Sequence, residues 1–368
     1  MIRPIKPETL FSRDYLDAQS RILSVADITG AQHFAFPHVA TGPGGEALAT
    51  DVLWVGLRGA KNVLVIMTGT HGVELYCGSA CAADLMLHGD LPAGWAMCVI
   101  HALNPWGTAW GRRENEDNID LNRNYVDFAK PLPANALYPE IHKSLVLQEL
   151  SDRAVMLSDL AIEQAEETYG ARAVLTARSA GQYDYPTGLH YGGRGPSASR
   201  QILDQIITQY GLDERDQVVV WDYHTGAGPF GYCEPIYLGT PENHQHEKAR
   251  AIFGSWLTAQ RTNHSVTPPQ SGLGSELWER RCMGRAVFVA MEFGTYPMMS
   301  SGGVLRQDNW LHCQQGAIDW QAPETRKIKT ALREEYDPQS EIWRSLVLVQ
   351  NRVIFDRFCA FCANDDRK

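Results

Sequence analysis

No stretch of this 368-residue sequence approaches the roughly 20 consecutive apolar residues that a membrane span needs. The N-terminus Met1-Ile2-Arg3-Pro4-Ile5-Lys6-Pro7 carries basic residues with no apolar run behind them, so it does not read as a secretory signal. Both absences point to a cytoplasmic protein with no membrane partner. Excess positive charge is also lacking: 33 Lys and Arg face 43 Asp and Glu, a formal net charge of −10. Such a surface repels the phosphate backbone, and no basic stripe interleaved with aromatics offsets it, so nucleic acid is not an expected partner. Internal repeats, low-complexity tracts and linkers are missing too. The eight cysteines are scattered through mostly apolar segments, as buried free thiols are. Cys359 and Cys362 form a C-x-x-C, but no second pair exists to complete a zinc site, and the surrounding residues have the spacing of an apolar helical face.

What is present is an alternation of strand-like and helix-like segments. Short β-branched runs at Asp51–Leu57, Asn62–Thr68, Trp95–Leu103, Gln217–Tyr223, Glu234–Leu238 and Arg285–Phe293 read as strands. Helical spacing runs through Val73–Leu87, Asp152–Ala180, Ser197–Tyr210 and His244–Ala259, and from about Val304 to the end. The first 45 residues read as helix and connection. This order predicts an α/β sheet with helices on its faces, in one domain spanning 1–368. Its core covers about 50–295, with a helical C-terminal extension from about 304. The polar stretch Asn104–Tyr125 has no period, and a loop of that length in a compact domain is usually functional.

Three strand ends each deliver an ionisable group into or beside a glycine-flanked turn: His71-Gly72-Val73-Glu74, His224 before Thr225-Gly226, and Glu292 before Phe293-Gly294. Ligands in open α/β sheets bind at the carboxyl ends of strands. H-x-x-E alone is a weak signal, since a His and a Glu at that spacing are often a surface pair. His224 alone reads as a core histidine, and Glu292 alone as a salt-bridged strand end. Taken together, His71, Glu74 and His224 make a His₂Glu set that leaves a zinc position open for water, and Glu292 is the candidate general base and acid. The long loop adds Arg112-Arg113-Glu114-Asn115 and Ile119-Asp120-Leu121-Asn122-Arg123-Asn124. Arginine suits carboxylate binding and the stabilisation of a developing oxyanion.

These segments resemble the zinc carboxypeptidase family. The matching segments are Gly69-Thr70-His71-Gly72-Val73-Glu74, Asn104-Pro105-Trp106-Gly107, Arg113-Glu114-Asn115, Ile119–Asn124, Asp222-Tyr223-His224 and Glu292, in family order. The G-x-H-G-x-E form is closest to bacterial murein-peptide amidases and to the succinylglutamate desuccinylase/aspartoacylase branch. The resemblance implies a mixed sheet of about eight strands flanked by helices. It implies one Zn²⁺ held by His71, Glu74 and His224, with Glu292 as general base. It further implies that Arg113 polarises the scissile carbonyl, while Asn122 and Arg123 grip a substrate carboxylate. Asp222, just ahead of the metal histidine, is expected to orient it.

The chain departs from digestive carboxypeptidases in its helical C-terminus and in an insertion at about 181–196, features of a bacterial branch of the family. The aromatic, glycine-rich Gly181–Gly193 is expected to form a lid or specificity wall, with His190 and Tyr191 touching substrate. The leading activity is a metallo-carboxypeptidase that cleaves an amide beside a free carboxylate in a peptide. The alternative is an amidohydrolase that deacylates a small N-acyl amino acid. A non-catalytic peptide-binding module is the third reading, and it is disfavoured because all four site residues are present.

Overall fold

Eight strands carry the apolar runs: β1 (Gln32–Thr41), β2 (Ala47–Val55), β3 (Asn62–Met67), β4 (Trp95–His101), β5 (Gln217–Gly226), β6 (Cys233–Tyr237), β7 (Thr258–Ala259) and β8 (Ala286–Gly294). In the computed structural model, which describes residues 7–240, 243–262, 265–296, 298–314 and 317–365, they form one mixed sheet in the order β1-β2-β4-β3-β5-β8-β6-β7. The four central strands β4, β3, β5 and β8 run parallel, and antiparallel pairs flank them. This is the helix-flanked mixed sheet that the sequence implies.

Side chains alternate across a strand, so the central strands supply two cores. On one face Leu64, Ile66, Val219, Trp221, Val287 and Val289 pack beneath the helices Leu75–His88, His244–Phe253 and Glu341–Asp365. On the other, Val63, Val65, Val218, Val220 and Phe288 meet Ile202, Leu203 and Ile206 of Ala198–Gln209 and Trp278 of Gly274–Arg281. Burial of each such aliphatic side chain contributes about 1.5–3 kcal/mol, so the rigid part of the molecule is this parallel centre. The carboxyl ends of β3, β5 and β8 lie side by side, because β5 pairs with both of the others.

The structure corrects the sequence in three places, the first being the helix expected over Asp152–Ala180, which is two, Asp152–Tyr169 and Ala171–Ser179, broken at Gly170 with φ 90°. The segment before residue 45 contains β1, an edge strand whose side chains are mostly exposed and which includes Pro37. Such a strand carries little apolar alternation to read. The helix expected over 244–259 stops at Phe253, where Gly254 turns at φ 64°, and Thr258–Ala259 joins β6 as β7. The cysteines are free. No helix among the described residues is long and apolar enough to cross a membrane.

Candidate metal centre and active-site cavity

The turn after β3 is built by contact. Gly72 lies so close to the helix Pro105–Ala109 that a Cβ there would stand 2.1 Å from the Gly107 carbonyl carbon and 2.2 Å from the Thr108 nitrogen. Gly72 and Val73 donate to the carbonyls of Arg113 and Arg112, which ties the H-G-V-E turn to the arginine loop. A single 3₁₀ turn, Gly72–Glu74, then places His71 and Glu74 on the same side, and the helix Leu75–His88 continues from it. His224 leaves β5 directly opposite Glu292 of β8.

Three Lewis bases converge there. His71 Nδ1 lies 2.8 Å from Glu74 Oε1, His224 Nδ1 lies 3.1 Å from Glu74 Oε2, and the two Nδ1 atoms are 3.3 Å apart. All three side chains are buried. Tetrahedral zinc with bonds of about 2.0–2.1 Å separates its ligands by about 3.4 Å, so this spacing fits the ion. The donor chemistry fits as well. His224 Nε2 lies 2.9 Å from Asp222, which accepts a second hydrogen bond from the Thr70 hydroxyl at 2.7 Å. A carboxylate at Nε2 fixes the proton there and turns the Nδ1 lone pair toward Glu74 and His71. His71 Nε2 lies 3.2 Å from Asp120 and 2.7 Å from an Arg113 nitrogen.

The cluster favours a cation. Burial opposes ionisation of Glu74, yet His71 and His224 hold its carboxyl well below the usual range. Burial would lower His224, yet Asp222 and Glu74 raise it well above the usual histidine range. Glu292 behaves differently. It accepts from the Ala227 amide at 3.0 Å, and burial pushes its carboxyl up to about 7 against the pull of His224. A carboxyl of that pKa exchanges protons near neutral pH.

A cavity of about 160 Å³ opens over these groups. Arg113, Asn122, Arg123 and His190 line it, as the sequence reading asks of substrate-contacting residues. Tyr191 does not: it lies in the core beside Ile119, and its backbone carbonyl accepts from the Asp120 amide. Arg113 donates to Asp120 at 2.6 Å. Arg123 sends its Nε and one terminal nitrogen to the Ser179 carbonyl and the other to the Asn122 carbonyl. That leaves two of its five N–H donors for a ligand. Asn122 Oδ1 accepts from the Gly274 amide at 2.8 Å, which fixes the orientation of its side-chain amide. His190 adopts φ 52° and shares Asp120 with Arg113, while burial lowers its imidazole to about 4. The surrounding segment is pinned by Tyr138 to the Leu189 carbonyl, Tyr183 to the Arg123 carbonyl and Asn118 to the Gly188 carbonyl. Of this segment, His190 lines the cavity.

Three contributors were not singled out as functional from the sequence. Asp120 is the hub: burial opposes its charge, but Arg113, Arg123 and His71 hold it well below the carboxylate range. Its place in Ile119–Asn124 was the available signal. Arg178 enters the cavity from the helix Ala171–Ser179, beside Leu175 and Ser179. Ile236, Leu238, Val266 and Ala290 supply an apolar part of the lining, a recess that also includes Gln260 and Gln270. Nothing in the sequence marked it.

A family model described as a protein of unknown function, DUF2817, matches residues 11–350. The chain belongs to the DUF2817 family. No curated protein matches the sequence. Among solved structures, bovine thrombin-activatable fibrinolysis inhibitor in complex with tick carboxypeptidase inhibitor is similar to this DUF2817 member at 12% identity and TM-score 0.47, over 95% of this chain and 98% of that one. Murein-tripeptide amidase from Escherichia coli O157 is similar at 15% identity and TM-score 0.34, over 84% and 93%. An aspartoacylase family protein from Mesorhizobium loti is similar at 18% identity and TM-score 0.39, over 76% and 66%. At these levels the chemistry of the DUF2817 member rests on its own residues.

Proposed function

We propose that this chain is a zinc-dependent hydrolase that cleaves an amide bond next to a free carboxylate, in the manner of a carboxypeptidase, with residues 1–368 acting as one catalytic domain. The observation that carries the reading is the convergence of His71 Nδ1, Glu74 and His224 Nδ1 within 3.3 Å of one another, beside a carboxyl raised to about 7. His71, Glu74 and His224 hold the metal, which when bound polarises a carbonyl and lowers the pKa of water to about 7. Glu292 takes the proton from the attacking water and returns it to the leaving nitrogen. Arg113, anchored by Asp120, offers its remaining donors to the oxygen where charge develops. Asn122 and Arg123 bind the substrate carboxylate, and the recess at Ile236 and Leu238 takes the adjoining side chain.

A second reading, deacylation of a small N-acyl amino acid, is favoured by one observation: three arginines, Arg113, Arg123 and Arg178, line a single cavity. A panel of peptides and N-acyl amino acids, assayed with the wild type and with Glu292→Gln, separates the two by which class is consumed. Loss of general-base catalysis is expected to lower kcat by about 10³-fold with little change in KM. Undiminished turnover by Glu292→Gln contradicts the assignment of the base.

A further inference from the structure

The three cavity arginines are in different states. Arg113 is neutralised by Asp120 at 2.6 Å. Arg123 lies 4.0 Å from the same carboxylate and spends three N–H groups on backbone carbonyls. Arg178 has no ion pair or hydrogen bond among the described residues, and Glu166 attracts it only from beyond ion-pair distance. Its neighbour Arg306 is occupied by Asp159 and Ser158. Burial lowers the Arg178 guanidinium below its ordinary value and Arg306 adds repulsion, so the fold holds this charge at a cost. Ile236, Leu238, Gln260 and Gln270, which also line the cavity, carry no charge.

We propose that Arg178 is a specificity-determining residue that binds a second anionic group of the substrate, separate from the carboxylate assigned to Asn122 and Arg123. The inference rests on the hydrolase reading above and narrows it to substrates with at least two anionic groups. A planar guanidinium with free donors suits a carboxylate, and incomplete desolvation makes such a pair stronger than one on an open surface. The Ser179 carbonyl at the end of its helix, Ala171–Ser179, accepts from Arg123, so the two arginines stand on tied elements and line one cavity.

The test is calorimetric binding to the zinc-loaded chain carrying Glu292→Gln, which suppresses turnover, with and without Arg178→Gln or Arg178→Lys. The probes are two near-isosteric pairs: N-succinylglycine with N-butyrylglycine, and N-acetylglutamate with N-acetylglutamine. In at least one pair the dianion is expected to bind about tenfold more tightly than its monoanionic partner. Arg178→Gln reduces that preference to within about twofold while leaving the monoanion's affinity unchanged, and Arg178→Lys retains part of it. Equal binding within both pairs, or a preference that survives Arg178→Gln, overturns the proposal. Because Arg178 has no ion pair or hydrogen bond among the described residues, Arg178→Gln is expected to leave the Tm the same or higher, which distinguishes lost recognition from misfolding. Failure to hydrolyse any substrate counts against the enzymatic reading alone, since binding is measured without turnover.

Discussion

At the scale of single residues, Asp120 carries the most interactions around the metal cluster. It is fully buried and meets Arg113 at 2.6 Å, His190 at 3.1 Å and His71 at 3.2 Å, while its Oδ1 also accepts from the Asn122 amide. Asp120→Asn removes a buried charge from beside the Arg113 and Arg123 guanidiniums, which stay charged, so it is expected to cost about 3–5 kcal/mol in urea unfolding. A loss below about 1 kcal/mol contradicts the role of hub. Asp222→Asn tests a gentler effect, because it leaves the packing intact but no longer fixes the His224 proton on Nε2. Zinc affinity is expected to fall by about 10–100-fold, read by competition with a chelator. The grouping of His71, Glu74, His224 and Glu292 was legible at this scale because each lies at or beyond the end of an apolar strand and sits in or beside a glycine-flanked turn. Arg178 was not, since a basic residue on an amphipathic helix looks the same in sequence whether it faces solvent or a cavity. Tyr191 misled for the opposite reason: its aromatic, glycine-rich surroundings suggested exposure, and its side chain went into the core.

Among the elements, the turn between β3 and the helix Leu75–His88 is the most constrained. Gly72→Ala would drive a methyl group into the backbone of Gly107 and Thr108. Two backbone segments must then separate, which costs about 3 kcal/mol or more, and His71 and Glu74 move with the turn. Zinc binding is expected to weaken along with stability. A variant that keeps wild-type Tm and metal affinity contradicts the contact. The central strands were readable because burial on both faces leaves near-continuous apolar runs. β1 escaped because an exposed edge strand has no apolar face to reveal, and β7 because two residues are too few to show a period.

For the whole molecule, the net charge of −10 and the cation-lined cavity coexist because composition averages over a surface that the fold sorts. The exclusion of nucleic acid was drawn from that average, and the average held no information about the pocket. Folding also sets an acid limit. His101 is fully buried against the Ser79 hydroxyl at 2.9 Å, and burial lowers its imidazole to about 4. A base lowered by folding prefers its neutral form in the native state. Its contribution is therefore complete above about 6.5, the value in the unfolded chain, and is lost as pH falls toward about 4. That window is worth about 3 kcal/mol. Urea unfolding between pH 7 and pH 4.5 should show His101→Leu losing less stability than the wild type. An equal loss contradicts the burial argument.

If His71, Glu74 and His224 form a zinc site, the metal content of the purified chain reports it. Elemental analysis after exposure to zinc and removal of the excess should give about one zinc per wild-type chain, and well under half of that when His71 and His224 are both replaced by alanine in a chain that still folds. Absence of bound zinc in the wild type, or equal zinc in the double variant, would contradict the account.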